Sequence, residues 1–351
     1  MSVWTDWDPL EEMIVGRGHE PGSLDWCIPP ILQNDFNLLL EETNQDLDKL
    51  SQLLEDLNVT VHRPTVCKHN DSIDLGAFKI NIPTAPVVPR DQYLVYGDTI
   101  YQTYTSMGDR YFDGFGFYDI FRSLFVDGHN WLSQPAPVLY DMKDPHAWLD
   151  KRSNLGQQVY KRIYKEKLLW HTATMFKCGD KLITNTQGPG TQLGLEWMRR
   201  NLSADTIVQN DNTAVENWGH IDHGFFMTDD HTVFCVDKTF VPKCLLDKKI
   251  YSFGHLINPV DNVVHPELNA LLDDVKGYEQ VVLFYSNVIV VDSKNVIFNE
   301  CNPEIVEFFK QHGITCHICT FKHTAFWAAS LHCLTLDIKR RGEKRKIVNE
   351  V

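Results

Sequence analysis

Several features that would place the sequence in a common class are absent from it. It contains no run of about 18 apolar residues, so no membrane-spanning helix is expected. The amino-terminal segment MSVWTDWDPLEE is acidic and lacks the basic and apolar blocks of a secretory signal. Lysine and arginine number 33 against 47 acidic residues, and the resulting formal charge of -14 argues against a nucleic-acid-binding face. A cytoplasmic globular protein that binds neither nucleic acid nor membrane is therefore expected.

Paired cysteines are also missing. The nine cysteines are an odd number without the spacing of a disulfide framework, which is typical of reduced thiols in a cytoplasmic protein. Cys316 and Cys319 form a C-x-x-C, but no second pair accompanies them to complete a tetrahedral zinc site. The sequence therefore predicts no metal and no other cofactor.

A recurring pattern of elements is present instead. Residues 35–58 carry leucine and phenylalanine at helical spacing and lead into a strand at 59–62. The same helix-then-strand succession is predicted at 194–208, 266–283 and 303–318. Hairpins are predicted at 92–103, 224–236 and 287–298, and a short strand at 13–15.

This succession predicts an α/β fold in which two strands, a helix and a strand recur about five times. Such units bury their faces best by closing into a ring, which also removes exposed sheet edges. The aromatic segment 104–150 has no clean period and is interpreted as an insertion or surface segment, with a helix around 117–125. Because no low-complexity linker divides the chain, residues 1–351 are predicted to form one domain.

Three short segments could carry chemistry. Asp91 ends the tripeptide Pro89-Arg90-Asp91, which taken alone reads as a turn. His220 and Asp222 would share one face of a strand, although such pairs are also common on surfaces. Cys333 lies between small residues and an apolar run, where a thiol is more often a packed hydrophobe than a nucleophile.

Together these residues describe guanidine chemistry. A cysteine nucleophile needs a histidine that takes and returns protons. Two carboxylates match a planar, permanently charged guanidinium that donates hydrogen bonds in fixed directions. The thiolate would attack the central carbon, expel an amine and form a covalent amidino-thiol intermediate, which either water or another amine could resolve.

Five motifs resemble those of the amidinotransferases, a family that includes glycine amidinotransferase and the inosamine-phosphate amidinotransferases. Their order and approximate intervals match from the first residues almost to the last. The motifs are WDPLEEMIVGR at 7–17, PRD at 89–91, GLEWMRRNL at 194–202, HIDHGF at 220–225 and LHCLTLDIKRRG at 331–342. The resemblance implies the pentein α/β propeller, in which five pseudo-symmetric two-strand, helix, strand modules surround a central active site.

The resemblance also implies roles for individual residues. Cys333 matches the family nucleophile and His220 the general acid/base, while Asp91 and Asp222 match the aspartates that hold the guanidinium. The implied activity is transfer of the amidino group of L-arginine, or a similar guanidino donor, through Cys333 to a glycine-like or other amine acceptor, with release of ornithine. The expected partners are these small molecules, and a homodimer is a candidate assembly.

Three further positions are candidates, and at two of them the sequence departs from the family. His171 stands where the family has an aspartate that orients the catalytic histidine, so it is counted here as a catalytic candidate. Lys238 is a candidate for the carboxylate-binding arginine of glycine amidinotransferase, which has no clear counterpart. Arg110, in GDRYF, is either substrate-lining or structural. The glycine run before the cysteine motif is replaced by Ala328-Ala329-Ser330, so glycine is not assumed as the acceptor.

Two alternatives to amidino transfer remain open. In a hydrolase or deiminase of the same fold, acting on arginine, water would resolve the covalent intermediate. The His171 replacement also allows a catalytically impaired propeller with a binding role.

Overall fold

The helices and strands of the chain were taken from a computed structural model. It describes residues 2–68, 82–105, 110–136, 168–185, 190–202, 206–210, 220–257, 268 and 285–348, together with the backbone of 73–74 and 79–80. The helices among these residues are α1 (Gln33–Asp56), α2 (Tyr118–Val126), α3 (Gln192–Asn201), α4 (Pro303–Gln311) and α5 (Thr324–Trp327). No helix in these ranges is long and apolar enough to cross a bilayer.

The strands are short and occur in groups along the chain. They are β1 (Leu10–Val15), β2 (Thr60–His62), β3 (Ile73–Asp74), β4 (Lys79–Ile80), β5 (Tyr93–Tyr96), β6 (Thr99–Gln102), β7 (Asn130–Ser133), β8 (Met175–Cys178), β9 (Lys181–Asn185), β10 (Ile207–Asn210), β11 (Phe225–Asp229), β12 (Thr232–Cys235), β13 (Lys249–Ser252), β14 (Ile289–Asp292), β15 (Asn295–Phe298), β16 (Thr315–Ile318) and β17 (Thr335–Arg340).

Five three-stranded sheets share one pattern. In each, an antiparallel pair of strands, consecutive in the chain except for β17 and β1, is followed by a third strand that lies parallel to the second. The sheets are β17-β1-β2, β5-β6-β7, β8-β9-β10, β11-β12-β13 and β14-β15-β16, and β3 pairs separately with β4. The second and third strands are joined through α1, α2, α3 or α4, whereas β12 and β13 are joined through two 3-10 turns. The five recurring units expected from the sequence are therefore present.

The two ends of the chain complete the first sheet. β17 pairs with β1 from Leu10 opposite Arg340 to Val15 opposite Thr335. Contacts then run around the ring, from β17 to β5, between the turns before β5, β8 and β11, from β11 to β14, and from β14 to β1. The residues before each hairpin consequently meet at the centre.

Local sequence explains where the helices begin and end. Thr191 Oγ1 accepts a hydrogen bond from the Gly194 N–H at the start of α3, and Asn302 Oδ1 accepts one from the Ile305 N–H at the start of α4. Pro303 occupies the first turn of α4, where a missing N–H costs nothing. α1 is followed by Asn58 with φ 63°, a left-handed conformation that asparagine tolerates.

The apolar residues of α1 form a buried face, as their helical spacing predicts. Leu47, Leu50 and Leu54 are buried on one face and pack in one cluster with Met13 and Val15 of β1. α1 therefore covers one face of the first sheet and leaves the inner ends of its strands to the centre.

Two sequence-based predictions are wrong. The part of 104–150 that the structure describes is not an insertion, since α2 and β7 complete the sheet with β5 and β6, although the helix predicted around 117–125 is present as α2. Residues 220–224 are not a strand, because Ile221–His223 form a 3-10 turn just before β11. The predicted helix and strand across 266–283 lie outside the described residues, apart from the single helical position 268.

Candidate active site

All five modules deliver a polar side chain to the centre from an equivalent place. The chain positions lie two to four residues before the first strand of each hairpin, and they are Asp91, His171, Asp222, Asn287 and Cys333. Because the turns before successive hairpins contact one another, these side chains converge. The pseudo-repeat of the fold thus builds a single buried polar cluster from residues far apart in sequence.

The Cys333 thiol is fully buried and surrounded by polar groups. Its Sγ accepts a hydrogen bond from Asn287 Nδ2 at 3.2 Å and lies 3.6 Å from Asp222 Oδ2. His223 Nε2 is 3.9 Å from the same sulfur. Burial, followed by the charges of Asp222 and Asp91, raises the pKa of Cys333 well above its usual range. The sulfur is consequently a thiol in the free protein and needs a base to become a nucleophile.

Asp222 is held in one orientation by three donors. His332 Nδ1 lies 2.6 Å from its Oδ2, Asn287 Nδ2 donates to the same oxygen at 2.8 Å, and the Cys333 thiol also faces it. Burial alone would raise the pKa of Asp222, but the hydrogen bond from His332 lowers it below its usual range. The side chain therefore presents a permanent negative charge beside the thiol.

A second group of side chains faces Asp222 across the site. His220 Nε2 lies 3.1 Å from His171 Nδ1, and the two rings stack with centroids 5.1 Å apart. Asp91 Oδ1 is 3.7 Å from His171 Nδ1 and 4.0 Å from His220 Nε2. Burial lowers the pKa of His171 to about 3, so this ring is neutral at physiological pH. The neutral His171 ring can accept a hydrogen bond from His220 or donate one to it, but it adds no negative charge.

Arg110 fixes the position of Asp91. Its Nη1 binds Asp91 Oδ2, its Nε donates to Asp113 Oδ2 at 2.9 Å, and its Nη2 donates to the Val88 carbonyl at 2.9 Å. Burial alone would raise the pKa of Asp91, but His171, Arg110 and His220 lower it. The Arg110 guanidinium therefore makes its hydrogen bonds within the protein, which supports the structural alternative for this residue.

Two carboxylate oxygens in the cluster lack a hydrogen-bond donor among the described residues. They are Asp91 Oδ1 and Asp222 Oδ1, and both are buried. His220 Nδ1 is likewise buried without such a partner. Buried polar atoms are normally satisfied, so this arrangement is typical of a site that a polar ligand completes.

A buried ionic network lies behind the thiol. Lys177 Nζ is 2.8 Å from Asp6 Oδ1 and 2.9 Å from both oxygens of Asp337. Arg90 donates from Nη2 to Asp337 Oδ1 at 2.8 Å and from Nε to the His332 carbonyl at 2.8 Å. The network therefore fixes the backbone next to Cys333.

The structure brings together most of the residues predicted from sequence. Cys333, His220, His171, Asp91 and Asp222 lie in the cluster, and Arg110 adjoins it through Asp91. Lys238 does not join them. It lies on an exposed 3-10 turn, and among the described residues no hydrogen bond or ion pair connects it to the cluster.

Sequence analysis missed Asn287 and gave no role to His223. Asn287 is fully buried, and its Oδ1 accepts from the backbone N–H groups of His332 and Cys333 at 3.0 and 3.3 Å. Its position before the hairpin β14–β15 is equivalent to that of Asp91 before β5–β6, so aligning the repeats with one another could have identified it. His332 lies against Asp222, with its Nδ1 2.6 Å from Asp222 Oδ2.

Curated relatives cover nearly the whole chain. It is 25% identical to the mitochondrial glycine amidinotransferase of Gallus gallus, over 97% of this chain and 82% of that protein. It is 23% identical to the L-arginine:L-lysine amidinotransferase of Pseudomonas savastanoi pv. phaseolicola, over 97% and 94%. It is 24% identical to inosamine-phosphate amidinotransferase 1 of Streptomyces griseus, over 98% of each chain. No family model matches the sequence.

Solved structures agree on the fold. An inosamine-phosphate amidinotransferase of Streptomyces griseus superposes with a TM-score of 0.76 at 21% identity, covering 99% of this chain and 98% of the other. An amidinotransferase of the saxitoxin pathway from Microseira wollei gives 0.73 at 21% identity over 99% of both chains. A dimethylarginine dimethylaminohydrolase gives 0.55 at 12% identity, over 93% and 99%. The chain has the pentein α/β fold, and its resemblance to the amidinotransferases is confirmed along nearly its whole length.

Proposed function

We propose that this relative of the amidinotransferases transfers the amidino group of L-arginine, or of a closely similar guanidino donor, to an amine acceptor through a covalent intermediate on Cys333. The arrangement of two carboxylates, an imidazole pair and a buried thiol supports the proposal. The relatives include proteins named for transfer from arginine to lysine and for amidino transfer to glycine.

One observation carries the proposal furthest. Asp91 Oδ1 and Asp222 Oδ1 are both buried, and neither has a hydrogen-bond donor among the described residues. Both belong to carboxyl groups whose pKa is lowered, so both are ionised at neutral pH. A planar guanidinium carries several N–H donors and one positive charge, and would satisfy both oxygens with the Cys333 sulfur facing its central carbon.

In the first half-reaction the thiol must lose its proton. His223 Nε2 is 3.9 Å from the sulfur, and burial lowers the pKa of His223 to about 4, so the ring is neutral and offers an acceptor for that proton once bound substrate lowers the pKa of the thiol. A bound guanidinium between the two carboxylates would also favour the thiolate electrostatically. The sulfur then attacks the guanidino carbon and forms a C–S bond.

The leaving amine needs a proton as its C–N bond breaks. His220 supplies it in the proposed mechanism, because it is the imidazole that also contacts Asp91 and is partly open to solvent. Ornithine departs and an amidino-cysteine remains. In the second half-reaction the acceptor amine attacks the same carbon and His220 takes the amine proton. The C–S bond then breaks, and the Cys333 thiolate that leaves recovers its proton from His223.

His171 changes how this acid/base residue is supported. A carboxylate at this position would stabilise a protonated His220, whereas the neutral His171 ring can only share a hydrogen bond over 3.1 Å. Asp91, 4.0 Å from His220 Nε2, then provides the nearest negative charge for the histidinium. The protein can therefore catalyse the reaction with histidine at position 171, because Asp91 of the neighbouring module supplies the negative charge near His220.

The test is incubation of the full chain with L-arginine, with and without a panel of amine acceptors. The proposal expects that ornithine release beyond one equivalent per chain depends on an acceptor, and that a new guanidino compound forms in equal amount to this release. Citrulline with ammonia, or ornithine with urea, from arginine alone would instead identify a hydrolase. The absence of product and of any Cys333 adduct with a panel of guanidino compounds would favour the binding-protein alternative.

A further inference from the structure

The side chains around the thiol form a second kind of donor set. Ligand atoms of His220, Asp222, His223 and Cys333 all lie within 4.8 Å of one another. Three of the four residues are fully buried, and His220, with 13% of its side chain exposed, reaches solvent. One thiolate, one carboxylate and two imidazoles are together a typical donor set for a four-coordinate zinc ion.

We propose that this cluster binds one Zn²⁺ ion, which competes with the guanidino substrate for the same carboxylate and thiol. The ion would be an inhibitor and not a cofactor of amidino transfer. Zinc binding itself does not depend on the proposed function, whereas its inhibitory effect does.

One ligand atom from each of the four residues lies within 4.8 Å of the others, and the separations of the Asp222 carboxylate, the thiol and His223 are close to those around the ion. The Cys333 sulfur lies 3.6 Å from Asp222 Oδ2 and 3.9 Å from His223 Nε2, and His223 Nε2 lies 3.9 Å from Asp222 Oδ1. Donor atoms about 2.0–2.3 Å from a tetrahedral zinc are roughly 3.3–3.8 Å from one another, so only small side-chain movements are needed. Asp222 Oδ1 has no hydrogen-bond donor among the described residues and can therefore turn to a cation at no cost in hydrogen bonds.

A surrounding set of hydrogen bonds already holds these ligands. Asn287 Nδ2 donates to both the Cys333 sulfur and Asp222 Oδ2, and His332 Nδ1 contacts Asp222 Oδ2 at 2.6 Å. His171 Nδ1 lies 3.1 Å from His220 Nε2. Such second partners orient the ligands of metal sites before the ion arrives.

Charge balance favours zinc binding at the donor set that contains Cys333 over a second group of possible ligands nearby. A thiolate and a carboxylate with two neutral imidazoles would leave no net charge on bound Zn²⁺, with the Cys333 proton released to the buffer. A second group of possible ligands, Asp91, His171 and His220, contains the carboxylate that already binds the Arg110 guanidinium. That positive charge disfavours a cation there.

The binding experiment uses the metal-free full chain and Zn²⁺ alone, measured by calorimetry, with Mg²⁺ as a control ion. One Zn²⁺ per chain is expected, with no binding of Mg²⁺, which prefers oxygen ligands. His223→Ala and Cys333→Ala should each weaken binding by at least about 100-fold, since loss of an outer-sphere partner alone costs about 10–100-fold. His255→Ala, at an exposed turn, and Cys316→Ser, in the C-x-x-C, should bind as the unchanged chain does.

A second measurement needs no variant. Co²⁺ substituted into the unchanged chain should show the visible bands of a tetrahedral ion and a thiolate-to-cobalt charge-transfer band, and L-arginine should remove them if the proposed function also holds. Zinc binding that persists unchanged in His223→Ala and Cys333→Ala, or a cobalt spectrum with no thiolate band, would overturn the proposal. If the metal binds as expected but L-arginine does not remove the cobalt bands, the result would instead count against the proposed substrate.

Discussion

Asn287 binds Cys333 through both ends of its amide: Oδ1 accepts from the Cys333 N–H, and Nδ2 donates to the sulfur at 3.2 Å. Asn287→Asp keeps the acceptor but loses the donor and adds a negative charge beside the thiol. Asn287→Ala loses both. Each change should lower kcat about 10- to 100-fold, the range for removing hydrogen bonds of about 1–3 kcal/mol to buried groups.

Steady-state kinetics across pH test this positioning role. Asn287→Asp should need a higher pH than the unchanged chain to reach its maximal rate, because added negative charge raises the pKa of the thiol further. Asn201→Ala, where the amide donates only to the Trp197 carbonyl on the exposed side of α3, is the control and should leave kcat unchanged. A pH profile identical to that of the unchanged chain would contradict the role.

Buried histidines predict an acid-sensitive fold. Burial lowers the pKa of His171 to about 3 and that of His223 to about 4. Below the unfolded value of about 6.5 the unfolded chain binds more protons than the native one, so stability falls as pH falls from about 6.5 toward 4. For His223 alone the loss amounts to about 3 kcal/mol. Asp91 and Asp222, whose pKa values are lowered, add to the loss at still lower pH.

Urea unfolding at a series of pH values measures this effect. His171→Asn and His223→Asn should each flatten the dependence between about pH 6.5 and 4, since each removes a group that gains a proton on unfolding. His255→Asn, at an exposed turn, should leave the slope unchanged. Equal slopes in all four proteins would contradict the assignment of neutral, buried imidazoles.

The central ionic network should be costly to interrupt. Lys177→Met removes the cation between Asp6 and Asp337 and leaves two buried carboxylates without it. A loss of about 3–5 kcal/mol in the free energy of unfolding is expected. Lys339→Met removes a partly exposed partner of Glu11 and Glu12 and should cost no more than about 1 kcal/mol. Similar losses for the two variants would contradict a structural role for the network.

A strained alanine precedes the nucleophile. Ala328 has φ 47° and ψ 38°, in the left-handed region, where the sequence has alanine in place of the family's glycine run. Ala328→Gly should raise the free energy of unfolding by up to about 1 kcal/mol, because glycine adopts this conformation without a Cβ clash. Ala329→Gly, at a buried position without positive φ, should lower it by about 1 kcal/mol. The opposite order would show that Ala328 is unstrained.

How far the sequence predicts the structure depends on the range of the interactions. α1 and the hairpin β14–β15 follow from local periodicity and turn residues, so their predicted bounds agree with the structure within a few residues. β17 was not predicted as part of the first sheet, because its pairing with β1 joins opposite ends of the chain. No local pattern records such a contact.

The site shows the same division. Cys333, His220 and Asp222 could be proposed because their residue types suit guanidine chemistry, and the motifs around them resemble a known family. Asn287 was missed, since locally it reads as the start of the hairpin 287–298 and its role arises only when the ring places it against Cys333. Only an alignment of the repeats with one another would have pointed to it. His223 lacked a role for the same reason, because its contact with the sulfur joins two modules.

The most direct test of the proposed function is mass spectrometry of the chain after brief incubation with L-arginine and no acceptor. An amidino group should appear on the peptide that contains Cys333, with release of one ornithine per modified chain, and it should disappear when a competent amine acceptor is added. Cys333→Ala should carry no adduct, while Cys235→Ala, which changes a buried thiol outside the cluster, should carry it as the unchanged chain does. An adduct on another cysteine, or ornithine release that persists in Cys333→Ala, would contradict the account.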